Sequence, residues 1–308
     1  MNLRMKLISI LLVCTLLSFA CVYVVLPEGL ESIDSAGAGS GVWSGVVTNV
    51  SQPEAEKLRI ELTIRNDTGD WSTMHAVANQ PAVLTDSDGN TTNCEMVFVG
   101  TGGHRLAPGF QMRGYTINRD AIQEPQLLYV ECAGAIAAAG STLSIDYVSF
   151  NGILDDYDPE ANKSEGVLEL SLDQIATDLT YPVAAPVEGL IQEPGISITA
   201  LSENVVTLLE AQRTDTGLEF TWQNFNPTKF PLKTHIGIPP VIGANGILYG
   251  VYETLDIAPI DITPPNANMQ WTTQVAVPAD VSGFYILLSV ESNKPRTYKN
   301  YALDISDK

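Results

Sequence analysis

Residues 58–75 and 218–235 carry one pattern 160 positions apart, and that spacing restricts the folds open to this chain. Leu58, Ile60, Leu62, Ile64 and Asn66 stand over Leu218, Phe220, Trp222, Asn224 and Asn226. The same offset sets His75 over His235, Leu127–Glu131 over Leu287–Glu291, and Leu143-Ser-Ile145 over Leu303-Asp-Ile305. Solenoid units repeat roughly every 20–50 residues, so a period this long describes a duplicated domain. Within each copy apolar residues recur at every second position, the period of a half-buried strand. The expectation is an all-β chain built from two copies of one fold.

Turn signals divide each copy into about seven short strands, as in an antiparallel β-sandwich. In the first copy the strands fall near 42–50, 58–66, 81–85, 93–99, 110–117, 126–132 and 142–150. Asp86-Ser-Asp88-Gly89-Asn90, Gly102-Gly103 and Ala107-Pro108-Gly109 separate them. In the second copy they fall near 197–210, 216–224, 234–242, 247–253, 269–277, 284–291 and 300–306. There Ala244-Asn245-Gly246 takes the hairpin place, and Thr263-Pro264-Pro265 replaces Ala107-Pro108-Gly109. Seven residues beyond Pro108 and Pro264 stand Tyr115 and Trp271. The domains are expected at 42–150 and 197–308. Residues 151–196 join them as an acidic loop, an apolar run (Val167–Leu172) readable as strand or helix start, and a proline-punctuated, semi-rigid spacer.

Residues 7–26 hold no charge, enough helix to cross about 30 Å of hydrocarbon. Arg4 and Lys6 precede this run and Glu28, Glu31 and Asp34 follow it, which keeps residues 1–6 in the cytoplasm and exports the rest. Three readings stay open: an uncleaved signal anchor, a cleaved signal with Ser18 and Ala20 before the cut, and a lipoprotein lipidated on Cys21. Residues 27–41 end in a Gly/Ser/Ala tether. All three readings place residues 27–308 outside the cytoplasm, at the cell membrane.

From residue 27 onward lie 14 basic and 36 acidic residues, a net charge of −22. Such a surface repels phosphate backbones, so no nucleic-acid partner is expected. In an exported chain Cys94 and Cys132, both on predicted strands, are expected to form a disulfide. Closing that loop stabilises the fold by about 4 kcal/mol on the chain-entropy account. The second copy has no cysteine.

Motifs for chemistry are sparse. No His or Cys pair has a zinc spacing, no Gly-x-Ser-x-Gly elbow occurs, and no glycine-rich phosphate loop opens a helix. A non-enzyme without a cofactor is expected. Calcium is the one ion the sequence offers a place, through the alternating oxygens of Asp156, Asp158, Glu160 and Asn162, although Ala161 and Val167 stand where an EF-hand needs Gly and Glu. Asp86–Asn90 is a second acidic run that also reads as a hairpin turn. Binding candidates are His104, on a glycine-rich loop, and Trp71, in the Asn66–Ser72 loop. Asn-x-Ser/Thr sequons stand at Asn49, Asn66, Asn90 and Asn162.

Asp86-x-Asp88-Gly89-Asn90 followed by Leu106-x-Pro108-Gly109-x-x-x-x-Gly114 resembles the secreted telokin-like, immunoglobulin-fold domains of bacterial envelope proteins, many of them membrane-anchored and of unknown function. The resemblance covers about 40 residues of the first copy and implies a fold and a compartment, with no catalytic residues. The combined expectation is two tandem immunoglobulin-like antiparallel β-sandwiches after one N-terminal transmembrane helix. Its role is binding, adhesion or scaffolding toward a protein or cell-envelope partner. Two alternatives are an accessory or sensor ectodomain docking on a membrane complex such as a transporter, and a carbohydrate-binding module or carbohydrate-active enzyme, which would need an exposed platform of aromatics; the tryptophans are Trp43, Trp71, Trp222 and Trp271.

Overall fold

A computed structural model describes residues 43–69, 71–77, 82–97, 104–116, 125–134, 139–151, 163–176, 190–191, 197–199, 205–234, 240–250, 261–293 and 296–306. The predicted helix at 7–26, the tether at 27–41, Cys21 and the run Asp156–Asn162 lie outside them.

Every named element of the described residues is a strand. The first copy opens with β1 (Trp43–Glu54), β2 (Lys57–Asn66), β3 (Ser72–Ala76) and β4 (Ala82–Thr85). It continues through β5 (Thr91–Val97), β6 (His104–Leu106), β7 (Gln111–Met112) and β8 (Gly114–Tyr115). β9 (Gln126–Leu127), β10 (Tyr129–Ala133) and β11 (Thr142–Asn151) complete the predicted set, and β12 (Lys163–Ser171) extends it into the connector. The apolar run at 167–172 is therefore a strand. Alternation explains why: Leu168, Leu170 and Leu172 are buried while Glu169 is exposed.

Next come β13 (Leu190–Ile191), β14 (Ser197–Thr199), β15 (Val205–Thr214) and β16 (Gly217–Phe225). β17 (Leu232–Thr234), β18 (Val241–Gly243), β19 (Ile247–Tyr249) and β20 (Asp261–Thr263) follow. β21 (Asn268–Ala276), β22 (Phe284–Asn293) and β23 (Arg296–Asp304) end the chain's elements.

The first sheet runs β1-β2-β10-β5-β4-β11-β3-β6, with β12 along the other edge of β11. It curls until the connector returns to its start, where Ala176 N donates to Val47 O at 2.9 Å. A four-stranded sheet, β14-β15-β16-β21, forms the far layer of the second copy. Between them lies the sheet β13-β23-β22-β18-β19-β8-β9, which takes strands from both copies. Its join is parallel: Gly114 and Tyr115 of β8 pair with Ile247 and Leu248 of β19.

This middle sheet is covered on both faces. Ile242, Leu248, Tyr285 and Leu287 join the core of the first copy, and Val241, Ile247, Tyr249, Phe284 and Ile286 join that of the second. Phe110 meets Tyr285 edge-on across the junction, ring centroids 5.2 Å apart. Burial on both faces accounts for the unbroken apolar runs Ile247-Leu-Tyr249 and Phe284-Tyr-Ile-Leu287, which a half-exposed strand would not carry.

The repeat itself is clearest in the first hairpin of each copy. β1–β2 slips register opposite Leu62 and Glu61, and β15–β16 slips opposite Trp222 and Thr221, the same two positions 160 residues on. It does not extend to Leu127–Glu131 and Leu287–Glu291. β10 lies between β2 and β5, whereas β22 lies between β18 and β23.

Candidate functional site

Asn66 and Asn226, each 0% exposed, anchor equivalent corners of the two copies. Asn66 Nδ2 donates to Leu106 O (2.8 Å) and its Oδ1 accepts from Thr68 N (3.0 Å). Asn226 Nδ2 donates to Thr263 O (2.9 Å) and Phe230 O (2.7 Å), and its Oδ1 accepts from Thr228 N (2.9 Å). Each main chain also brackets a turn. Asn66 bonds Gly109 N and Phe110 O, and Asn226 bonds Asn266 N and Ala267 O. Gly109 and Asn266 both take positive φ, at 78° and 53°, which glycine and asparagine accept most readily. These bonds pair Pro108 with Pro265, so the Pro108–Pro264 alignment is one residue out, and Thr272 stands where Tyr115 does.

The loops leaving these corners diverge. Trp71 is only 6% exposed and packs in the first core, so it cannot serve as the surface platform expected of it. Trp43 and Trp222 are buried as well, and Trp271 is half-buried, so none of the four tryptophans presents a fully exposed ring. Phe230, by contrast, is 72% exposed beside the exposed Lys229 and Pro231. On the 160-residue offset Phe230 falls over Asp70, and Trp71 falls over Pro231. A shift of one residue has carried the aromatic from the core to the surface.

Phe230 does not stand alone. β17 and β20 form a two-stranded ribbon in which Lys233 pairs with Ile262, and Ile262 is 61% exposed. Its neighbour Thr263 is buried, with Oγ1 accepting from Asn224 Nδ2 at 2.9 Å and its carbonyl held by Asn226. Phe230 N donates to Thr228 Oγ1 (3.3 Å) while its carbonyl is held by Asn226. Two buried asparagines thus fix the backbone beneath two exposed apolar side chains. Sequence reasoning missed this pair by looking among the tryptophans. The signal was present, because Phe230 occupies a position that is charged in the other copy.

The remaining candidates divide. His104 opens β6, its backbone paired with Met74, so it belongs to a strand end. The Asp86 carboxylate accepts from Asp88 N, Asn90 N and Asn90 Nδ2 at 2.8–2.9 Å, and the side-chain bond from Asn90 heads the causes holding its pKa below the ordinary value. Those bonds make a hairpin turn and use oxygens a cation would need. Among the described residues no three His, Cys, Asp or Glu side chains are placed to hold a metal ion.

Cys94 and Cys132 are disulfide-bonded, facing each other across β5 and β10 with Cα atoms 4.2 Å apart. Beside them Glu131 meets Arg59 Nη2 at 2.6 Å and Lys57 Nζ at 3.1 Å. The Arg59 guanidinium, aided by Lys57, holds the Glu131 carboxyl below the usual carboxylate range against the opposing effect of burial. This cluster closes on itself. Of the sequons, Asn49 and Asn90 are exposed, their amides donating to Glu61 and Asp86, whereas Asn66 is buried. No family model and no curated protein matches the chain.

Proposed function

We propose that this chain is a membrane-anchored, extracytoplasmic binding or scaffold protein whose contact surface is the Phe230–Ile262 end of the β17–β20 ribbon. The exposure of these two side chains over a hydrogen-bonded backbone carries the reading. Large apolar groups held in water on a fixed frame are the material of an interaction site. The sequence supplies the rest: the uncharged run at 7–26 after Arg4 and Lys6, a disulfide suited to an oxidising compartment, and an acidic surface. In the second copy β15-β16-β21 faces β18-β22-β23, a strand order that supports the immunoglobulin-like reading and with it the resemblance to envelope domains.

A photocrosslinking residue at Phe230 in the full chain, expressed in its own cells, tests the surface. A discrete adduct is expected there and none at Asp215, which is also exposed. Phe230→Ser should weaken capture by about 2 kcal/mol, roughly 30-fold, the value of burying one such side chain. No adduct at Phe230, or the same adduct at Asp215, rejects this surface.

A further inference from the structure

The loop that carries Phe230 differs in charge from its counterpart in the first copy. On the 160-residue offset Asp67, Gly69, Asp70 and Thr73 stand over Pro227, Lys229, Phe230 and Lys233. Residues 66–74 thus hold two carboxylates and no cation, and residues 226–234 hold two lysines and no carboxylate. On the paired strand Ile262 opposes Lys233 where Arg105 opposes Thr73. Residues 262–276, which begin with that isoleucine, carry no charge at all. The chain has 36 acidic residues in 308, so their exclusion from both segments sets the ribbon tip apart. Asp261, the carboxylate next in sequence, pairs with Thr234 at the other end of the ribbon.

The tip also lies far from the entry of the N-terminal run. Trp43 pairs with Asn66, so that run enters the fold at the first corner. Phe110 of this corner packs on Tyr285, at the start of β22. The Arg213 guanidinium lies 5.3 Å from the centre of the Phe284 ring, which sets the β15–β16 hairpin beside the same start. From that hairpin β16 runs nine residues, about 30 Å, toward Asn226 and the ribbon. The two corners therefore occupy opposite poles, and the tip points away from the end that leads to the proposed anchor.

We infer that the tip takes an acidic protein partner, with Phe230 and Ile262 entering an apolar recess and Lys229 pairing with a carboxylate on its rim. This rests on the Phe230–Ile262 surface proposed above and adds the chemistry of what meets it. A purely apolar contact would strip water from Lys229 without replacing it, a cost that an anionic rim removes. Charge also selects the approach. At a net −20 most of the surface repels an acidic partner, while segments with lysine and no carboxylate attract it. Pro231, Pro264 and Pro265 are exposed around the two apolar side chains. Their fixed φ keeps the backbone stiff, so little ordering is lost on docking.

Photocrosslinking at Phe230 in the full chain, in its own cells, combined with replacement of the exposed Lys229, tests the inference. The expected adduct is protein-sized, and its mapped partner peptide is rich in Asp and Glu. Its yield falls about tenfold with Lys229→Glu, falls less with Lys229→Gln, and holds with Lys229→Arg. A protein adduct that ignores the charge at position 229, or whose partner peptide lacks carboxylates, overturns the acidic partner and leaves the contact surface standing. A lipid- or glycan-sized adduct does the same. No adduct at Phe230 in any variant removes the surface itself, and the inference with it.

Discussion

Asn66 and Asn226 show how much one buried amide can organise. Each joins the end of a strand to a turn some 40 residues away through side chain and main chain together. Asn66→Ala should cost about 2–3 kcal/mol in urea unfolding, because the buried Leu106 carbonyl loses its donor and the part-buried Thr68 N–H loses this acceptor. The Asn-x-Thr pattern at Asn66 is thus a structural turn. Its second copy, Asn226-Pro-Thr228, keeps the turn with a proline that no sequon tolerates. Glu131 makes a pH-dependent prediction. Its folded pKa lies below the ordinary 4.5, so its contribution is full above that value and fades as pH falls through it. The stability gap between wild type and Glu131→Gln, measured by denaturation at a series of pH values, should be constant above about pH 5 and close progressively below pH 4.5.

At the scale of elements, period-two alternation located most strands of the first copy within a few residues, because each has one wet and one dry face. It could not separate β17 from β18 in the predicted 234–242 strand, nor foresee β3 and β6, whose short pairings carry little alternation. β8 is the element on which the junction turns. Gly114→Val should lower thermal stability by about 2–3 kcal/mol through overpacking. Ile247→Val should not rescue it, since the nearest obstacle is the Gln126 carbonyl and only the next is the Ile247 side chain.

At the scale of the whole molecule, a sheet shared by both copies makes them one folding unit. Calorimetry should show a single transition whose calorimetric and van't Hoff enthalpies agree. A fragment of residues 27–176 should bind hydrophobic dyes and aggregate, because Ile242, Leu248, Tyr285 and Leu287 no longer cover its core. Two resolved transitions, or a stable folded fragment, would contradict this. The amino-acid sequence by itself determined the all-β class, the duplicated hairpin, the cysteine pair and the acidic surface, since each is written in local periodicity, spacing or composition. Only the tertiary structure decided that Trp71 turns inward and Phe230 outward, and that the copies share a sheet. The shared sheet depends on Gly114 and Tyr115 meeting Ile247 and Leu248, strand edges far apart in the chain. The Phe230 frame depends on buried asparagines reaching a second strand, and neither meeting is written in local periodicity.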